Sequence, residues 1–144
     1  MSNHTQLKKL LGIITFIFCI SSLKAQSAEE TLEWINIKKI DISSYDCFSR
    51  SIKNRNAKKT FEFTTAYFKA TDESGGFALG LWKEIKEVKK KNNVELEIVF
   101  VYDETKQDYL SIRLQDEALR DKYYRAFKHM ATLKGAKMID SDLF

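Results

Sequence analysis

Proline is absent from the chain, and glycine occurs only five times in 144 residues. With so few breakers there is no Pro/Gly-rich linker, no low-complexity tract and no internal repeat, which argues against two modules on a tether. Cysteine and histidine are as scarce, with two of each. No G-x-S-x-G elbow and no glycine-rich phosphate loop occurs; Gly75-Gly76 lacks both the spacing and the lysine. These absences leave no motif for nucleophilic catalysis or nucleotide binding, and the expectation is a non-enzyme without cofactor or metal. No catalytic residue is assigned.

What is present begins at the N-terminus. Lys8 and Lys9 form a positive n-region, Leu10 to Ile20 is apolar, and Ser21 to Ala25 is a more polar exit with a small residue at its end. That order is a secretory signal peptide. The apolar run is shorter than the about 20 residues a spanning helix needs, so cleavage after Ala25 is expected rather than retention as an anchor, leaving no transmembrane helix. Leu23-Lys24-Ala25-Gln26 resembles the signal-peptide ends of a large group of Gram-negative bacteria. Phe18 is too bulky to precede a lipidated Cys19. Residues 1–25 are read as signal peptide and 26–144 as one domain, periplasmic or secreted.

Cleavage changes the composition. Lys8, Lys9 and Lys24 leave and no acid does, so the formal net charge of +4 falls to +1. A nucleic-acid binder normally keeps a larger surplus, so nucleic acid is set aside. Cys47 remains alone and has no internal disulfide partner; it reads as a small buried hydrophobe. His129 is the remaining histidine. A lone His with a lone Cys makes no standard zinc site, and it reads as a surface side chain near the negative end of a helix. Acidic pairs at Glu29/Glu30, Asp72/Glu73, Asp103/Glu104, Asp116/Glu117 and Asp140/Asp142 fall mostly at turns and helix starts, where capping and solvation account for them. Nothing singles out one as a hydrolase pair, which leaves a hydrolase as the remotest alternative.

Periodicity outlines the elements. Ser27 and Glu30 fit a capping box opening a helix over Ala28 to Lys39. Ile40 to Ile52 reads as a strand. Thr60 to Ala70, rich in aromatic and β-branched residues, reads as one long strand, followed by a turn at Asp72–Gly76. Phe77, Leu79 and Leu81 alternate as its hairpin partner. Trp82, Ile85 and Val88 have helical spacing, and Lys86 to Lys91 is too charged for a buried element, so a short helix or exposed turn is expected. Val94–Tyr102 and Tyr109–Leu114 form a second hairpin. Asp116 caps a helix to Leu133 with the stripe Leu119, Tyr123, Ala126, Phe127, Met130 and Leu133, stopped by Gly135. The terminal Asp142-Leu143-Phe144 tucks back or grips a partner. The predicted class is α+β: an N-terminal helix, a small bent antiparallel sheet or partial barrel, and a long closing helix packed on it. That is the build of a pleckstrin-homology-like fold, with a cystatin-like or NTF2-like sheet as the alternative.

Thr31-Leu32-Glu33-Trp34-Ile35-Asn36, Arg125-Ala126-Phe127-Lys128-His129-Met130, Leu133 and the final Asp142-Leu143-Phe144 carry a further likeness. On these residues the chain resembles a loose set of small uncharacterised exported bacterial proteins. The resemblance implies an exported, single-domain, non-catalytic protein.

Two basic segments are candidate binding sites. Arg50, Lys53, Arg55, Lys58 and Lys59 lie in an acid-free stretch before the best strand. In pleckstrin-homology-like folds a loop between the first strands meets anionic headgroups, and the resemblance of fold places these five residues there. Lys83, Lys86, Lys89, Lys90 and Lys91 form a second group diluted by Glu84 and Glu87. The function expected is binding of an anionic envelope component, either lipid or glycan. The alternative is an interaction or assembly subunit docking an envelope protein through Leu143-Phe144 or the Trp34 face.

Overall fold

The computed structural model describes residues 26–47, 59–73, 75–103 and 106–139. Among the described residues two helices and seven strands follow in the order α1 (Ala28–Lys38), β1 (Ser44–Cys47), β2 (Lys59–Phe63), β3 (Tyr67–Asp72), β4 (Phe77–Leu81), β5 (Ile85–Lys90), β6 (Glu95–Asp103), β7 (Lys106–Arg113) and α2 (Glu117–Leu133). The fold is α+β. The strands form two antiparallel sheets, ordered β1-β7-β6-β5 and β2-β3-β4. Among the described residues no ladder joins the two sheets, so the strands do not close into a barrel.

Helix α1 starts where the capping box predicts. The Ser27 hydroxyl accepts from the Glu30 N–H at 3.1 Å, and the Ser27 N–H donates to the Glu30 carboxylate at 2.9 Å. Together they satisfy two donors that a helix start leaves open. The helix buries Thr31 and Ile35. Asn36 Nδ2 donates to the carbonyls of Leu32 and Phe63, which pins the helix to the end of β2. A single 3-10 turn, Lys39–Asp41, ends it. The strand expected over 40–52 is thus confined, within the described residues, to β1.

The long strand expected from Thr60 to Ala70 is two strands with a tight reversal between them. Thr64 Oγ1 accepts from the N–H groups of Ala66 and Tyr67 and donates to the Tyr67 carbonyl. The side chain competes with the ladder for the backbone and turns it. The face then changes: Phe63 is buried on β2, whereas Phe68, not Tyr67, is buried on β3. Strand β4 alternates as its sequence predicts, with the smaller residues on the buried face. Its small residues Ala78 and Gly80 point inward, and Phe77 and Leu79 stay 46% and 38% exposed.

The segment expected as a short helix or exposed turn, Lys86–Lys91, is mostly strand β5. Only Trp82–Glu84 forms a 3-10 turn. Ile85 pairs with Phe100 and Glu87 with Val99, so Lys86 is an extra residue in a bulge. The bulge shifts the phase, and Ile85 and Val88 both reach the core despite their helical spacing.

The second hairpin forms as its alternation predicts, burying Leu96, Ile98 and Phe100 on β6 and Leu110, Ile112 and Leu114 beside them. Asp116 caps α2 by accepting from Leu119 N–H at 2.7 Å. Tyr123, Ala126, Phe127 and Met130 are buried, while Leu133, predicted in the same stripe, is 48% exposed in the last turn. Gly135 ends the helix at φ +80°, a left-handed conformation that costs glycine little.

One aromatic cluster locks helix and sheets together. Phe127 lies 5.2 Å from Trp82, 5.9 Å from Phe63 and 5.9 Å from Phe68, and Phe68 meets Phe100 edge-on at 5.2 Å. Trp82 Nε1 donates to the Thr64 carbonyl at 2.8 Å, so the buried indole leaves no donor unpaired.

A cationic groove between the two helices

The small side chain of Ala126 faces α1 from the middle of α2 and leaves a groove between the helices. Lys122, Arg125, Ala126 and His129 line it from α2, Thr31 and Trp34 from α1, and Gln26 closes one end. Its volume is about 480 Å³. The α2 residues recur at i, i+3, i+4 and i+7, which sets them on one helical face. Trp34 is held from beneath, its ring 5.1 Å from that of the fully buried Tyr123. Burial pushes the Tyr123 hydroxyl pKa up from its ordinary value, with the Asp41 charge adding to the shift.

His129 Nε2 lies 2.7 Å from the Gln26 carbonyl oxygen. A carbonyl only accepts, so Nε2 carries the proton and donates. The side chain expected as a solvated helix-end histidine therefore ties the start of the described chain to α2.

Lys122 and Arg125 are exposed and have no ion-pair partner among the described residues. Neighbouring cations are committed. Arg120, 6% exposed, donates to the carboxylates of Asp121 and Glu117 and to the Asn92 carbonyl. The hydrogen bond from Arg120 holds the Asp121 carboxyl below the usual carboxylate range, and Lys90 reinforces it. The groove thus has two uncompensated cations, an imidazole and an aromatic ring. A guanidinium fork and an ammonium suit a carboxylate or phosphate, and the Trp34 face suits an apolar or planar group. Its lining includes no carboxylate or thiol, and the Thr31 hydroxyl donates to the Ser27 carbonyl.

A second, smaller crevice of about 310 Å³ lies on the four-stranded sheet, lined by Lys86, Glu87, Lys89, Glu97, Asp108, Tyr109 and Ile139 among others. Its charges are mixed, with Lys89 and Glu87 paired at 2.9 Å. Burial raises the Asp108 carboxyl, partly offset by a bond from the Tyr109 N–H.

The residues predicted from sequence lie elsewhere. Arg50, Lys53, Arg55 and Lys58 are outside the described residues, and Lys59 opens β2, its backbone opposite Asp72. The second lysine group sits on and beside β5 and is largely spent within the fold. Lys89 pairs with Glu87, Lys91 with Glu97, and Lys90 with Asp121 and the face of Tyr124. Of the acidic pairs, Glu30 and Asp116 are caps, Glu117 pairs with Arg120, and Asp72 is buried with its carboxylate accepting from Gly76 N–H. The sequence signal for the groove was present as Lys122, Arg125 and His129 on one helical stripe, next to a stripe dominated by core residues.

Among the described residues no three His, Cys, Asp or Glu side chains gather as metal ligands would, and no helix is long and apolar enough to cross a membrane. In comparison with known proteins, no protein-family model matches the chain and no curated protein matches it either.

Proposed function

We propose that this chain is an exported, non-catalytic binding module that takes an anionic ligand with an apolar part in the groove between α1 and α2. The observation that supports it is the pair of cations, Lys122 and Arg125, without an ion-pair partner among the described residues and beside the half-buried Trp34. In the envelope, anionic lipids and acidic glycans carry the charge such a groove takes, and a lipid adds the apolar part. The export half of this reading rests on the signal-like residues 1–25.

The test uses 8-anilinonaphthalene-1-sulfonate, whose sulfonate and fused rings match both halves of the groove. Saturable binding, weakened by salt and by Lys122→Gln with Arg125→Gln, is the expected result, with displacement by vesicles containing phosphatidylglycerol. Binding unchanged in the double variant would overturn the reading.

A second reading, an assembly subunit, is favoured by Phe77 and Leu79, which alternate outward on β4. It expects a concentration-dependent sedimentation coefficient that Phe77→Ser with Leu79→Ser abolishes.

A further inference from the structure

The peptide unit between Gln26 and Ser27 is fixed from both sides. Its carbonyl accepts from His129 Nε2 at 2.7 Å, and its N–H donates to the Glu30 carboxylate at 2.9 Å. A peptide unit is planar and carries both flanking Cα atoms in its plane, so the Cα of Gln26 is held at the end of the groove. The Gln26 nitrogen is one bond further and no more than about 4 Å from the anchored carbonyl oxygen. In the unprocessed chain this nitrogen is an uncharged amide. Cleavage after Ala25, the junction the signal pattern predicts, makes it an α-ammonium, protonated below about pH 8.

From this geometry we infer that N-terminal processing completes the groove: the newly formed α-ammonium of Gln26 joins Lys122 and Arg125 as a third cation for the bound anion, its charge partly offset by the Glu30 carboxylate that accepts from the Ser27 N–H. The inference rests on the groove being an anion site and adds how that site is regulated. The precursor has the weaker groove and the processed chain the stronger one. The same residue offers a way to cancel the charge. The α-amine of an N-terminal glutamine attacks its own side-chain carboxamide carbon, a C–N bond forms, the carboxamide C–N bond breaks, and ammonia leaves. The product is a five-membered lactam with no charge.

That chemistry supplies the test, because it changes one charge and leaves the rest of the chain as it was. The core draws on residues from Ile35 to Ala131, so a chain beginning at Gln26 contains all of it. The chain starting at Gln26 is compared with the same chain cyclised enzymatically to the lactam, using 8-anilinonaphthalene-1-sulfonate as probe and Arg125→Gln in both forms. The free-amine form is expected to bind about two- to fivefold more tightly than the lactam, the size of one partly exposed charge contact. Arg125→Gln is expected to weaken both. If the two forms bind equally and Arg125→Gln still weakens them, the processing role is overturned and the groove reading stands. If Arg125→Gln changes neither form, or neither form binds the probe, the groove reading fails and this inference with it.

Discussion

The ring of Phe68 fills the space a side chain at position 80 would need. A Cβ built on Gly80 would lie 2.3 Å from Phe68 Cζ and 3.0 Å from Phe100 Cδ2. Gly80 is there for this close approach between β4 and the aromatic core rather than for a special backbone angle. Gly80→Ala is therefore expected to destabilise by about 1–3 kcal/mol through overpacking. Chemical denaturation checks it. Gly80→Ala with Phe68→Leu is expected to recover part of the loss, since the clash is with the ring tip; a double variant whose losses simply add would refute that mechanism.

Thr64 turns the chain between β2 and β3 through three bonds from one hydroxyl. Thr64→Val keeps the shape and removes them. A cost of about 1–2 kcal/mol is expected, measured by urea unfolding, because two backbone donors lose an acceptor. Thr64→Ser, which keeps the hydroxyl, is expected to retain most of the stability. Equal losses for Val and Ser would show that the bonds are not what holds the turn.

That reversal also shows how far the sequence could be read. Both helix starts, the β6–β7 hairpin and the α2 stripe follow from capping residues and periods of 3.6 and 2. These are local signals, and the structure agrees with them except at Leu133, which lies exposed in the last turn of α2. The β2–β3 turn was hidden because Thr64-Thr65-Ala66 contains no Gly, Asn or Asp and has the β-branched character of a strand. The β5 bulge was hidden because one extra residue gives a strand the spacing of a helix, from Ile85 to Val88. The groove was hidden for a different reason. Its character depends on which lysines and arginines lack partners, and pairing such as Lys90 with Asp121 joins residues distant in sequence.

The Arg120–Asp121 contact gives the fold an acid-sensitive element. The Asp121 carboxyl is held below its ordinary range in the folded state. A depressed folded pKa means the contact stabilises above the unfolded value, about 4, and that contribution is lost as pH falls through the folded value. Asp121→Asn is therefore expected to lower the melting temperature at pH 7, with the gap to the parent closing below about pH 4. Melting curves by circular dichroism from pH 7 to pH 2 measure it, and a gap that stays constant to pH 2 would contradict the assignment.

Ala126 is small enough to leave a groove between the helices, so filling that position tests the site without touching its charges. Leucine at 126 is a strong helix former and extends toward Thr31 and Trp34 from a turn already held by Tyr123, Phe127 and Met130. Ala126→Leu is expected to retain the helical circular dichroism signal and to abolish binding of the anionic fluorescent probe, whereas Lys122→Gln and Arg125→Gln weaken it in proportion to charge. The two kinds of variant separate shape from electrostatics. If Ala126→Leu binds the probe as tightly as the parent while Arg125→Gln does not, the anion rests on the outer face of α2. The space between the helices then contributes nothing, and the apolar half of the proposed ligand loses its support.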